Sequence, residues 1–220
     1  EMTSSLVGSE MCIRDSSFAF ETENAISGLI PKLQEAYPSD TKSDQTGIYG
    51  SVPDEMEEAQ TEKADNPDMM VGWEYFDVFS INCYDFDPST DMDFVKNAGV
   101  DLPILLGEYH CGALDRGLPA TGLKGVKNQK ERARMWRYYV EHAAAHPCGV
   151  GAHWFQYNDQ FCLGRFDGEN YQIGMVDVCM QPYPELLDAV KKSSEALYAV
   201  KNGEQKPFDE EPVSIPMIGY

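Results

Sequence analysis

Residues 102–109 read LPILLGEY, and this short segment is the clearest indicator of the fold class. Its apolar residues follow one another almost without interruption, which is typical of a strand buried on both faces of a parallel sheet. The run ends in a carboxylate, Glu108, directly after a glycine. The sequence therefore predicts a buried strand that carries an acidic side chain to its C-terminal end.

Two further stretches have the same character. Residues 76–84 read FDVFSINCY and residues 148–157 read CGVGAHWFQY, and both are apolar runs that finish in polar or aromatic side chains. Both are therefore predicted to be strands of the same parallel sheet.

Helical periodicity separates and follows these strands. Residues 128–146 are predicted to form a helix, with Glu131, Arg134 and Glu141 opposite its apolar stripe, and a closing helix is predicted around residues 186–200. Strands that alternate with helices at this spacing are typical of an α/β fold. A barrel and an open sheet both fit this repeat.

The beginning and the end of the chain differ from this pattern. Residues 24–37 have helical spacing, residues 47–52 fit one short strand, and residues 201–220 are predicted to be an extended C-terminal tail. Residues 6–16 read LVGSEMCIRDS and resemble a translated sequencing adaptor. We therefore set residues 1–16 aside as non-native and expect the natural protein to continue upstream of Ser17.

Composition narrows the function classes. The 220 residues carry a formal net charge of −20, so no basic face for nucleic acid is visible, whereas a neutral ligand fits. Glycine-rich phosphate loops and Gly-x-Ser-x-Gly are absent, which argues against a nucleotide-binding domain and an α/β-hydrolase. No run has the length of a membrane span, and the cysteines have no Cys-x-x-Cys spacing, so no membrane, metal or cofactor is predicted. Disulfide pairing stays open.

The predicted strand ends gather side chains suited to sugars. Barrel enzymes place catalytic groups at the C-terminal mouth of their strands, although a glutamate there also fits a plain ion pair with Arg or Lys. The polar and aromatic side chains at the ends of the neighbouring strands are Asn82, Tyr84, His153, Trp154 and Gln156. Aromatic faces stack on pyranose rings while amides and carboxylates bind hydroxyls, so this rim favours Glu108 as a catalytic residue.

A series of motifs then resembles one family. Its members in chain order are GEYHCGALDRG at 107–117, AHWFQYNDQ at 152–160, GRFDGENYQIGMVD at 164–177 and PYPEL at 182–186. Together they resemble the β-agarases of glycoside hydrolase family 50, and the resemblance covers roughly residues 76–198. It implies that residues 17–200 are the C-terminal portion, about strands five to eight, of a (β/α)8 TIM barrel.

The resemblance also implies roles for single residues. Glu108 resembles the nucleophile, Tyr84 its hydrogen-bonding neighbour, and Trp154 the aromatic platform of the sugar site. Asn82 and Gln156 are expected to bind substrate. His110 is expected near the sugar, although a loop histidine satisfied by the backbone is the alternative.

Two sets of charged loop residues each have two possible roles. Asp115 and Arg116 either form an ion pair that shapes the loop or contact substrate directly. Arg165 and Asp167, with Glu169 and Asn170, form either a sugar-recognition loop or a loop whose charges satisfy one another. We prefer recognition for the second group because it follows strand eight.

The activity implied by the resemblance is hydrolysis of β-1,4 galactosidic linkages in agarose by double displacement, in a secreted or periplasmic protein. Such chemistry needs a second carboxyl, which the family carries after an Asn, and no Asn-Glu pair occurs in these 220 residues. The fragment alone is therefore expected to be inactive. Another β-glycosidase of the same clan and a non-catalytic carbohydrate-binding protein remain as alternatives.

Overall fold

The computed structural model describes residue 70 and residues 72–218. The predictions for residues 6–16, 24–37 and 47–52 lie outside these residues. After a short 3-10 turn at Trp73–Tyr75, the elements in chain order are β1 (Phe79–Asn82), α1 (Ser89–Asn97), β2 (Ile104–Tyr109), β3 (Gly125–Val126), α2 (Gln129–Ala145), β4 (Gly149–Trp154), α3 (Pro184–Lys201) and β5 (Ser214–Ile215). In this part of the chain, no helix combines the length and the apolar character that crossing a membrane requires.

Three parallel strands form the main sheet, in the order β1-β2-β4. Asn82 of β1 lies opposite Glu108 of β2, and Tyr109 of β2 lies opposite Trp154 of β4. The predicted α/β class with a parallel sheet is therefore confirmed. Because the strands are parallel, their carboxyl ends meet at one edge, where the candidate side chains were expected.

A second, small sheet lies apart from the first. Residues 202–218 follow α3, and within them β5 pairs antiparallel with β3. A Cβ on Gly125 would lie 3.0 Å from the carbonyl oxygens of Ile215 and Pro216, so the close approach of the two segments requires a glycine there. The C-terminal segment is thus tied to the loop that leads into α2.

The strands are shorter than the apolar runs that predicted them. Phe76 and Val78 precede β1 with 40% and 41% of their surface exposed, and the first fully buried residue of the run is Ile81. Helix α1, which the sequence analysis did not identify, connects β1 to β2 and buries Met92 and Val95. Its polar composition hid this narrow apolar stripe.

Helix α2 matches the predicted helix closely. Asn128 caps its N-terminus, since the side chain accepts hydrogen bonds from the backbone N–H groups of Lys130 and Glu131. Trp136 and Tyr139 of α2 pack against the sheet, where Tyr139 stacks on Tyr109 with ring centroids 3.9 Å apart. The aromatic core therefore lies between α2 and the strands that deliver the candidate site.

The side of α2 that was predicted to be charged and opposite the apolar stripe is largely covered, because two of its three residues are buried. Glu141 has no exposed surface, and Glu131 is only 9% exposed. Glu141 accepts hydrogen bonds from Arg137 Nε at 2.9 Å, Ser193 Oγ at 3.0 Å and the Phe208 backbone N–H at 2.8 Å. Helix α3 and the C-terminal segment cover this side of α2. Helical periodicity in a sequence identifies only the apolar face, so it could not show that the charged side is buried as well.

We predict that Glu141→Ala lowers the free energy of unfolding by about 3 kcal/mol, because it leaves Arg137, Ser193 Oγ and the Phe208 N–H without their shared acceptor. Urea-induced unfolding of the whole chain measures this difference. Glu195→Ala on the exposed side of α3 is the matched control and should change stability by less than about 0.5 kcal/mol. Equal effects from the two substitutions would contradict the role of Glu141.

Candidate active site

Glu108 is partly buried near the end of β2, at the carboxyl edge of the parallel sheet. Steric constraints explain why the residue before Glu108 is a glycine. A Cβ on Gly107 would lie 2.7 Å from Ser80 Oγ and 2.8 Å from Asn82 Oδ1. Strand β1 can therefore approach β2 closely, which places the exposed Asn82 directly beside Glu108.

The hydrogen bond expected between Tyr84 and Glu108 is present. Tyr84 Oη donates to Glu108 Oε2 at 2.7 Å. Burial raises the pKa of Tyr84, and the negative charge of Glu108 raises it further. The phenol therefore stays protonated over the ordinary pH range and remains a donor that orients the carboxylate.

Glu108 opens into a cleft at the end of β4. Besides Gly107 and Glu108, the cleft is lined by a continuous segment, His153, Trp154, Phe155, Gln156, Tyr157 and Asn158. The Gln156 side-chain amide donates to the carbonyl of Asn158 at 3.1 Å, which holds it at the cleft wall. The structure thus brings together Glu108, Tyr84, Asn82 and Gln156 from the predicted set.

Trp154, which was predicted to be the aromatic platform of the sugar site, is buried. Only 4% of its surface is exposed, and its Nε1 donates to the Ile173 carbonyl at 2.8 Å. Its ring packs edge-on against Tyr109, on the helix side of the sheet. Two further aromatic residues, the half-buried Phe155 and the exposed Tyr157, also line the cleft, and neither was among the predicted site residues.

His110 lies beneath the surface of the site, in the buried, backbone-bonded position that was its alternative. It is 1% exposed, and its Nε2 accepts a hydrogen bond from the Leu123 backbone N–H at 2.9 Å. Burial lowers the pKa of His110 to about 3, so the ring is neutral. Its edge meets the ring of Tyr84 at a centroid distance of 4.7 Å, and it therefore supports the tyrosine that holds Glu108.

Asp115 and Arg116 do not form the ion pair considered for them. Asp115 accepts hydrogen bonds from the backbone and side-chain nitrogens of Gln129, at 3.2 Å and 3.1 Å. Arg116 forms an ion pair with Glu185 at 2.8 Å. The two residues therefore join the loop after β2 to the starts of α2 and α3. Their neighbouring positions in the sequence suggested a pair, but each residue binds a different helix.

Charged side chains of the loop after β4 form ion pairs with one another. Arg165 forms ion pairs with Asp167 and with Glu169, the latter at 2.8 Å. Burial raises the pKa of Glu169, and the charge of Glu108 adds to this effect. Gln160 Nε2 donates to Glu169 at 2.6 Å. Glu169 and Arg165 also act electrostatically on Tyr84, so this loop lies near the nucleophile candidate.

We predict that His110 makes stability sensitive to acid. Its pKa is about 3 in the folded chain and about 6.5 when unfolded, so the unfolded chain takes up the proton first as the pH falls. This contribution to stability is complete above about pH 6.5 and is lost towards pH 3. Between pH 7 and pH 5 the free energy of unfolding falls by about 2 kcal/mol through this group. Urea unfolding of the wild type and His110→Gln at both pH values should show a smaller loss in the variant; parallel losses would count against it.

Two curated proteins are similar to this chain. β-Agarase B of Vibrio sp. (strain JT0107) is 40% identical over 128 residues, which are 58% of this chain and 13% of that protein. β-Agarase A of the same strain is 39% identical over 127 residues, which are 56% of this chain and 13% of that protein. This chain therefore spans only a small part of the relatives that it matches. No protein-family model matches it.

Solved structures show the same relationship. An exo-β-agarase structure superposes with a TM-score of 0.57 and 38% identity, covering 60% of this chain and 18% of that chain. The agarase AgWH50C gives a TM-score of 0.58 and 37% identity, covering 62% of this chain and 21% of that chain. A structure of PfGH50B gives a TM-score of 0.56 and 37% identity, covering 59% of this chain and 18% of that chain. The predicted resemblance to the family 50 β-agarases is thus confirmed over the matched part of this chain.

Proposed function

We propose that this chain supplies the nucleophile side of the active site of a retaining β-agarase. The observation that carries the proposal is Glu108 at the carboxyl edge of a parallel sheet, held by the Tyr84 hydroxyl at 2.7 Å and facing an open cleft. A carboxylate that is oriented but still accessible is what attack on a sugar carbon requires.

The sheet supports a barrel for the complete protein. Strands β1, β2 and β4 would be consecutive strands near the end of a (β/α)8 barrel, each followed by a helix or a long loop. Among the described residues, β1 and β4 pair only on the side that faces β2. Unpaired parallel edges favour further strands on both sides. We place those strands in a part of the protein that precedes this segment.

The chemistry would be a double displacement. Glu108 attacks the anomeric carbon, and the glycosidic C–O bond breaks while a second carboxyl protonates the departing oxygen. That carboxyl, now ionised, takes a proton from water, whose oxygen displaces Glu108 from the sugar. Tyr84 keeps the Glu108 carboxylate aligned through both steps. The second carboxyl is proposed to come from upstream of this segment, and without it the segment is inactive.

The proposed substrate is a neutral galactan of the agarose type, cleaved at β-1,4 galactosidic linkages. The similar proteins named β-agarases support this choice. The cleft fits a neutral sugar, since it combines an aromatic ring, Phe155, with the amides of Gln156 and Asn158. Because a polysaccharide gel is outside the cell, the complete protein is proposed to be secreted or periplasmic.

One observation favours a second candidate, a carbohydrate-binding protein without catalysis. The 220 residues contain no Asn-Glu pair, the position at which the family carries its acid/base. If the complete gene also lacks it, the same cleft would bind sugar without cleaving it. Sequencing upstream of this segment distinguishes the two candidates.

We predict that Glu108→Gln abolishes cleavage. Loss of the nucleophile should lower kcat by several orders of magnitude, because the amide cannot form the glycosyl intermediate. The experiment compares the complete open reading frame with its variant for release of reducing ends from agarose. Glu195→Gln, an exposed change on α3, is the control and should keep full activity. Activity that survives Glu108→Gln would place the nucleophile elsewhere.

We predict a smaller loss for Tyr84→Phe. Removal of one hydrogen bond to a charged acceptor costs about 1.5–3 kcal/mol, which corresponds to a loss of roughly tenfold to hundredfold in kcat/KM. The same reducing-end assay on agarose oligosaccharides measures it. A wild-type rate in Tyr84→Phe would show that the hydroxyl does not align Glu108 during catalysis.

A further inference from the structure

The loop after β4 exposes large apolar side chains beside the cleft. Phe166 is 99% exposed, Leu163 84% and Phe161 60%. Isolated apolar residues on a surface are ordinary, but three strongly exposed ones within six residues are not, and exposed apolar patches often mark binding sites. Phe166 is the extreme case, because nearly its whole ring faces solvent.

Hydrogen bonds within the loop hold this exposed position. The Gly164 backbone N–H donates to the Phe161 carbonyl at 2.8 Å, and the Gly168 N–H donates to the Arg165 carbonyl at 3.0 Å. The Arg165 N–H donates to the Glu169 carbonyl at 2.8 Å, which closes the turn around Phe166. Gly164 and Gly168 have φ values of 91° and 93°, which only glycine adopts readily. The backbone therefore directs Phe166 outward.

Arg165 connects this ring to the cleft. Its guanidinium lies 5.6 Å from the centroid of Phe155 and 5.7 Å from the centroid of Phe166, both within cation–π distance. Phe155 lines the cleft that contains Glu108. Arg165 thus links Phe166 in the loop to Phe155 in the lining of the cleft that contains Glu108.

We propose that Phe166 is a stacking platform for a distal pyranose ring, so that a long galactan chain is bound beyond the cleft. This inference rests on the proposed function. An aromatic face packs against the apolar C–H face of a sugar, while the charged groups beside it, Arg165 and Asp167, reach the hydroxyls. A sugar chain fits better than a second copy of this protein, because the copies would bring together surfaces of a molecule with net charge −20.

The test uses the complete open reading frame and substrates of graded length. The probes are a nitrophenyl galactoside, which fills the cleft only, and agarose oligosaccharides of increasing length. Phe166→Ala should lower kcat/KM on the longest oligosaccharides about tenfold, equivalent to about 1.4 kcal/mol, mainly through KM. On the short galactoside it should stay within about twofold of the wild type. Phe166→Trp should restore the length preference, and Leu187→Ala, an exposed aliphatic side chain of α3, should leave it unchanged.

The outcomes separate the two proposals. A wild-type enzyme that cleaves the oligosaccharides, with Phe166→Ala equally active at every length, would overturn the platform and leave the proposed function standing. A loss of the same size on the short galactoside would also overturn it, since that substrate does not reach the loop. A wild-type protein that cleaves no galactan would overturn both. A dimer by size-exclusion chromatography that Phe166→Ala converts to a monomer would assign the ring to an interface between copies.

Discussion

The arrangement of the site depends on one buried cation, the guanidinium of Arg132. The residue has no exposed surface, and a charge removed from water is tolerated only when its hydrogen-bonding groups are satisfied. Arg132 Nε donates to the Cys111 carbonyl at 3.1 Å, Nη1 to Gln129 Oε1 at 2.7 Å and Nη2 to the Gly174 carbonyl at 2.7 Å. One side chain of α2 thereby fixes both the segment that leaves β2 and the loop that returns after β4. Asp159, itself 2% exposed, accepts from the Gly174 N–H and from the Tyr183 hydroxyl, which places a compensating carboxylate beside the cation.

Behind Glu108, aromatic packing fixes the strand that carries it. Neighbouring residues of a strand point to opposite faces, so Glu108 faces the cleft while Tyr109 enters the core. The Tyr109 ring stacks on Tyr139 at a centroid distance of 3.9 Å and meets Trp154 edge-on at 5.1 Å. Glu108 therefore stands on a backbone that cannot shift without disturbing this cluster, and Tyr84 needs only to orient its carboxylate.

The same alternation explains which site residues the sequence could reveal. Apolar runs located the three parallel strands, and the polar residue after each run placed Glu108 and Tyr84 at the correct edge. Tyr109 and Trp154 are partners in the register and both are buried, but this register is known only from the folded chain, so the sequence could not place Trp154 in the core. The partners of Arg116 and Glu141 could not be predicted either. Glu185 is 69 residues from Arg116 and Phe208 is 67 residues from Glu141, and only the folded chain brings such pairs together.

The two sides of the cleft are stabilised by contacts of different range. The position of Glu108 rests on contacts between distant segments, with β1, α2 and the buried Arg132. The loop beyond the cleft rests instead on local pairs, since Arg165 binds Asp167 and Glu169 within four residues of itself. Residues in the loop can therefore change without displacing Glu108. The separation is not complete, because the charge of Glu108 contributes to the raised pKa of Glu169. Because an electrostatic interaction is mutual, a change in the charge of Glu169 would also alter the field at Glu108.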